Sequence, residues 1–225
     1  MDAPGHVGFI LDGNRRWAKK HGLPVYEGHL AGYNALKEVA LETLKRGVKF
    51  LSVYAFSTEN WGRDSEEVTN ILKLMMRLFT TDVKFLLEND VRLVVLGSRE
   101  RLDKKMIQAI DNAEKKTAHG RSGTLALCFN YGGQDEIAQA VSQAMVAGET
   151  DITPQKIEQY LYHPEIPPLD IVVRTSGEQR ISGFMLWRAS YAEFLFLDKM
   201  WPEMTRTDVD AILDEYNKRT RRFGK

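Results

Sequence analysis

Along this chain short runs of consecutive apolar residues alternate with longer stretches whose apolar positions recur at helical spacing. The apolar runs are Val7–Leu11, Phe50–Phe56, Val91–Gly97, Thr124–Asn130, Leu169–Arg174 and Glu193–Leu197. Runs of that length, bounded by Gly, Asn and Asp, read as strands buried on both faces. Between them the spacing predicts helices over residues 28–45, 64–89, 99–117, 134–147, 154–162 and 205–221. Arg46-Gly47 closes the first of these, Asp64-Ser65-Glu66-Glu67 opens the second with acids at its positive end, and Thr153-Pro154 opens the fifth. Strands alternating with helices predict a single α/β domain over residues 1–225, with a six-stranded, mainly parallel sheet flanked by helices. There is neither an internal repeat nor a Pro/Gly/Ser-rich linker.

The 64–89 stretch is apolar around too much of its circumference for one interface. Val68, Ile71, Leu72, Leu74, Met75, Met76, Leu78, Phe79, Val83, Phe85, Leu86 and Leu87 all fall within it. Core packing plus a dimer contact accounts for this, and so does an apolar cavity lined by the pliable Met75 and Met76.

Composition narrows the class without naming it. The 225 residues are enough for one full core, and 31 basic residues balance 31 acidic ones, which excludes bulk electrostatic capture of nucleic acid. The single cysteine, Cys128, excludes an intramolecular disulfide and reads as a small buried hydrophobe. No run reaches the roughly 18 apolar residues of a membrane span. The first strand begins too early for a signal peptide, so the expectation is a cytoplasmic protein, at most peripheral to a membrane.

In an open parallel sheet, ligands bind beyond the carboxyl ends of the strands. The polar clusters lie there: Asp12-Gly-Asn-Arg-Arg-Trp17, Ser57-Thr-Glu-Asn-Trp-Gly-Arg63, Asn130-Tyr-Gly-Gly133 and Arg174-Thr-Ser-Gly-Glu-Gln-Arg-Ile-Ser182. Gly13 allows close backbone approach, and Asn14, Arg15 and Arg16 supply donors suited to phosphate oxygens. Asp12 beside that anion calls for a hard cation such as Mg²⁺ to bridge them. Arg174, Arg180 and Ser182 make a second cradle of the same kind, and two such cradles suggest a reaction between two diphosphates. A Gly-rich loop ending in Lys-Ser/Thr, a GxGxxG turn and zinc-spaced Cys/His are all absent. Of the five histidines only His29 falls near a cluster.

These segments, with Gly28-His29, Tyr54-Ala-Phe-Ser-Thr-Glu-Asn-Trp61 and Tyr191-Ala-Glu193, are similar to the motifs of the cis-prenyltransferases, the undecaprenyl diphosphate synthase-like enzymes. They occur in order from His6 to Arg222-Phe-Gly224. The resemblance implies a Mg²⁺-dependent, homodimeric Z-polyprenyl diphosphate synthase with an apolar tunnel between sheet and helices. It would condense isopentenyl diphosphate with an allylic diphosphate such as farnesyl diphosphate, in the service of a cell wall lipid carrier. Asp12 would be the principal metal contact, with Glu193 a second one supplied across the dimer. Gly13, Asn14, Arg15, Arg16, Trp17 and His29 would surround the allylic diphosphate, and Arg174, Arg180 and Ser182 would hold isopentenyl diphosphate. Ser57, Thr58, Glu59, Asn60, Trp61 and Arg63 match a loop that closes over substrate, with Asn60 a catalytic candidate beside Asp12. Arg222 and Gly224 match an element that reaches the neighbouring subunit's site. A short-chain or irregular enzyme, or a non-catalytic subunit of a heteromer, are the alternatives.

Three positions depart from the family pattern. Val25 stands four residues before His29, where the family often has Arg or Lys, and Arg15 occupies a position where many bacterial members carry Gly. Gly123 stands where a bulky residue often closes the tunnel floor, which leaves product length open.

Overall fold

A computed structural model describes residues 3–219. Six strands, β1 (His6–Ile10), β2 (Phe50–Ser57), β3 (Val91–Leu96), β4 (Gly123–Tyr131), β5 (Ile171–Arg174) and β6 (Glu193–Phe196), form one sheet in the order β3-β4-β2-β1-β5-β6. Every neighbouring pair is parallel. All residues of β1 and β4 are buried, as their unbroken apolar runs predict for strands covered on both faces.

The helices are α1 (Asn14–Lys20), α2 (Val25–Lys45), α3 (Ser65–Thr80), α4 (Val83–Glu88), α5 (Lys104–Thr117), α6 (Gly133–Val146), α7 (Pro154–Tyr160) and α8 (Arg206–Lys218). One core joins Val7, Phe9, Leu51, Val53 and Leu127 to the apolar faces of α2, α3, α5 and α8. The other joins Ile10, Val94, Ala126, Cys128 and Val172 to Ile166, Phe184 and Met185. Cys128 is wholly buried and its thiol pKa is pushed up by that burial, as a packing role requires.

Three helical expectations change. The predicted 64–89 helix is broken into α3 and α4 around Thr81-Asp82. There the Asp82 carboxylate collects the Tyr33 hydroxyl at 2.9 Å, Lys37 at 3.1 Å and Arg77 at 3.4 Å, and two of these come from α2. The predicted 99–117 helix begins only at Lys104, where Asp103 accepts from the Met106 N–H at 2.7 Å and so caps it. Segment 14–20, where no helix is predicted, is helical, with Gly13 at φ 109° preceding it. Met75 and Phe79 are buried in the first core, so packing accounts for much of the wide apolar stripe. The space between α2, α3 and the sheet is a cavity of about 40 Å³ bounded by Leu36, Ile71, Leu74 and Met75.

Candidate active site

The chain runs from β1 to β2 on one side and returns later to β5 on the other, so the strand order reverses around β1. A crevice opens where such a reversal occurs, beyond the carboxyl ends of the strands. Asp12 follows β1 there and Arg174 ends β5 beside it.

The Asp12 backbone is pinned first. Its N–H donates to Thr175 Oγ1 at 3.1 Å, and the Thr175 hydroxyl donates to the Asp12 carbonyl at 2.7 Å. Gly13 then takes the left-handed conformation, and a Cβ there would lie 2.9 Å from Ser176 Oγ. The Asp12 carboxylate receives Arg174 Nη2 at 2.9 Å on Oδ2 and Arg16 Nη2 at 3.2 Å on Oδ1. Burial alone would raise its pKa, but the hydrogen bond and charge of Arg174, with Arg16 behind them, hold it below the ordinary carboxylate value. Arg174 itself is buried, donating also to the Arg180 carbonyl at 2.6 Å and to Ser182 Oγ at 2.9 Å. Its Nε is buried without a hydrogen-bond partner among the described residues.

A second group forms around Glu67, on the first turn of α3. This buried carboxylate takes Arg63 at 2.8 Å, His29 Nε2 at 3.1 Å and Arg15 at 3.6 Å. Burial works against its ionisation, yet His29 and Arg63 together bring its pKa below the ordinary value. Burial lowers the His29 pKa more than Glu67 raises it, so the imidazole is neutral near pH 7. Three donors of an anion cradle are thus drawn together from α1, α2 and the segment before α3.

Two hollows meet at Asp12. One, of about 250 Å³, is bounded by Asp12, Asn14, His29, Ser57, Glu59, Asn60, Arg63, Arg174 and Ser182. The other, of about 270 Å³, is bounded by Asp12, Gly13, Asn14, Arg15, Arg16, His29 and Arg63. Most of the residues singled out from sequence therefore come together. A bulge in β2 at Ala55, where pairing with β4 skips a residue, turns that strand's end toward the first hollow.

Several residues fall elsewhere. Trp17 stacks on His21 at 4.3 Å, outside both hollows. Arg180 is exposed and pairs with Glu178 at 2.5 Å; its backbone carbonyl, not its side chain, touches Arg174. Thr58 and Trp61 face a separate cavity of about 760 Å³ beyond β3 and β4. Glu193 opens β6 opposite Ile171, three residues before Arg174, and pairs with Arg219 at 3.1 Å. Within one chain it lies toward the end of the sheet away from Asp12. Arg222 and Gly224 lie outside the described residues. Among those described, no three His, Cys, Asp or Glu side chains gather as a metal cage, and no helix is long and apolar enough to cross a membrane.

Sequence reasoning missed Glu67 and Thr175 as parts of the site. Glu67 stands four residues after Arg63 on a helix start, and that spacing was the available signal.

The chain is similar to known proteins along nearly its whole length. Residues 10–224 match a family model described as putative undecaprenyl diphosphate synthase. An isoprenyl transferase of Neisseria gonorrhoeae is 41% identical, over 99% of this chain and 90% of that protein. A trans,polycis-polyprenyl diphosphate synthase of Thermobifida fusca, (2Z,6E)-farnesyl diphosphate specific, is 42% identical over 98% of this chain and 80% of its own. Lavandulyl diphosphate synthase from Lavandula x intermedia, solved with dimethylallyl diphosphate, superposes with a TM-score of 0.94 at 32% identity, covering 99% of both chains. The carboxylate and arginines at the reversal of the sheet, the six-stranded fold that holds them and a family match spanning nearly the whole sequence agree: the chain belongs to the cis-prenyltransferase family.

Proposed function

We propose that this prenyltransferase joins an allylic diphosphate to isopentenyl diphosphate and releases diphosphate, building a Z-polyprenyl diphosphate within one domain of residues 1–225. The observation that carries the reading is the pair of adjoining hollows that share Asp12, Asn14, His29 and Arg63 in their walls, each supplied with cations.

The hollow of Arg15, Arg16, His29 and Arg63 suits the allylic diphosphate. The structure of a relative bound to dimethylallyl diphosphate supports such a ligand class here. The hollow of Arg174 and Ser182 suits the diphosphate of isopentenyl diphosphate. In the reaction the allylic C–O bond breaks and its electrons leave with diphosphate. The alkene of isopentenyl diphosphate bonds to the freed carbon, and loss of a proton forms the new double bond. Arg15, Arg16 and Arg63 would offset charge growing on the leaving group, which is where fixed donors lower a barrier most. Ile71 and Leu11 border the hollows and help keep water from the electron-poor carbon.

Mg²⁺ fits the donors present, because it is held by one or two carboxylates together with phosphate oxygens. Asp12 is ionised, partly exposed and lines both hollows. When bound there, the ion would neutralise diphosphate charge and assist its departure. A second copy of the chain, bringing Glu193 to the crevice, completes the reading as a homodimer.

Irregular coupling of short allylic diphosphates is the second reading, favoured by the likeness to lavandulyl diphosphate synthase. Purified protein with Mg²⁺ and labelled isopentenyl diphosphate, given dimethylallyl, geranyl or farnesyl diphosphate, separates them by chromatography. A ladder of Z-polyprenyl products supports elongation. A product from dimethylallyl diphosphate alone supports coupling, and no product with any primer from folded dimer overturns both.

A further inference from the structure

The segment that carries Asn60 and Arg63 into the site is a five-residue 3-10 turn, Thr58–Gly62, in which each residue keeps some solvent exposure. It has the 250 Å³ hollow on one side and the 760 Å³ cavity on the other, so packing behind it is thin. Thr58 donates to Asp135 Oδ2 at 2.9 Å. Trp61 supplies the larger anchor. Its ring meets the buried Phe56 edge-on at 5.2 Å, and its Nε1–H donates to Asn130 Oδ1 at 2.8 Å.

Asn130 in turn donates through Nδ2 to the carbonyls of Ser98 and Glu100, both at 2.8 Å. The loop after β3 is thereby tied to the same tryptophan. That loop carries Arg101, whose guanidinium carbon lies 5.3 Å from the centre of the Trp61 ring. Arg101 has φ 63°, a conformation a bulky side chain adopts only when its surroundings enforce it. Asn130, at φ 51°, shares that conformation and also borders the cavity. Two left-handed residues, Arg101 in the loop after β3 and Asn130 near the end of β4, thus converge on one indole.

We propose that Arg101 is a positioning residue: by stacking on Trp61 it braces the 58–62 turn and so sets Asn60 and Arg63 for the diphosphates. Arg101 borders neither diphosphate hollow, so its effect passes through Trp61. A guanidinium over a partly exposed indole shifts an equilibrium by about two- to fivefold. If the ordered turn is the form that binds diphosphate, its fractional population scales apparent affinity directly. The KM for the diphosphates should then rise while kcat holds.

Only the kinetic part rests on the prenyl-transfer reading. The test therefore pairs kinetics with amide hydrogen exchange of residues 57–63 in the full chain, using Arg101→Gln, Arg101→Lys and Arg101→Gly. We expect two- to fivefold faster exchange and higher KM in the Gln variant, with the Lys variant recovering most of both. The Gly variant relieves the backbone strain but lacks the cation, and it should behave like Gln. Exchange unchanged in Arg101→Gln, or Lys no better than Gln, overturns the proposal. If the unaltered protein transfers no prenyl group, that failure belongs to the functional reading, and the exchange data still decide the role of Arg101.

Discussion

Arg174 reaches Asp12 across 2.9 Å although 162 positions separate them in sequence. Adjacent parallel strands β1 and β5 bring them together, and the guanidinium points at the carboxylate from the neighbouring strand end. The contact keeps Asp12 ionised while leaving it partly exposed, and Asp12 lines both hollows together with Asn14, His29 and Arg63.

Asp12→Ala should therefore lower turnover by about 10²- to 10³-fold, the size of effect seen when a fixed transition-state stabiliser is removed. The fold should persist, because Arg174 still donates to the Arg180 carbonyl and Ser182. Turnover and circular dichroism on the same sample check this. Activity within tenfold of the unaltered protein would remove Asp12 from the chemistry.

Gly28→Ala should damage the site from beneath. A Cβ at this buried α2 position would fall 2.2 Å from the Asn14 carbonyl oxygen, a backbone atom with no rotamer to escape into. α1 would have to move off α2, carrying Arg15 and Arg16 with it. The expected cost is about 1–3 kcal/mol of stability, as for other overpacked contacts, with weaker diphosphate binding. Urea denaturation and substrate titration measure the two effects, and an unshifted midpoint would show that the helices part easily.

The strands were legible because buried parallel strands are written as unbroken apolar runs, and all six emerged close to their observed bounds. The α1 helix was not, since its seven residues Asn14–Lys20 include Ala18 as their buried member and show no apolar face to count. The break at Asp82 depends on Tyr33 and Lys37, which lie over forty positions away. Asp12 and Arg174 could each be recognised as strand-end residues, but their pairing requires knowing that β5 lies beside β1. Glu67 was read as a favourable acid at a helix start; its other partners, Arg15 and His29, come from elements that only folding places beside it.

The Arg188–Glu136 pair should be a major determinant of stability. It is buried at both ends with a 2.8 Å contact. Arg188 also donates to the carbonyls of Ile166 and Tyr162, and Glu136 accepts from the Tyr131 hydroxyl. Arg188→Ala leaves the buried Glu136 without its ion-pair partner, and its expected cost is about 3–5 kcal/mol. Replacing both residues by apolar ones (Arg188→Met with Glu136→Leu) should cost less than the single change. A double variant no more stable than the single, in the same urea titration, would contradict this.

His6 should give the protein an acid limit separate from catalysis. The ring is fully buried, with Nδ1 2.8 Å from the Pro167 carbonyl and Nε2 2.7 Å from Ser52 Oγ. A carbonyl only accepts, so Nδ1 carries the proton and Nε2 accepts from the Ser52 hydroxyl. Burial lowers the pKa to about 4. In the unfolded chain the imidazole takes up its proton near 6.5, so between about pH 6.5 and 4 the unfolded state holds more protons than the folded one. Stability then rises with pH in that window and is lost as pH falls through it, by about 3 kcal/mol in all at roughly 1.4 kcal/mol per unit. His6→Gln keeps a donor and an acceptor but cannot titrate. Its stability should be lower at pH 7 through imperfect packing, with a shallower decline toward pH 4. Denaturant titrations at half-unit steps decide it: parallel profiles for the two proteins would assign the acid sensitivity to carboxylates and clear His6 of it.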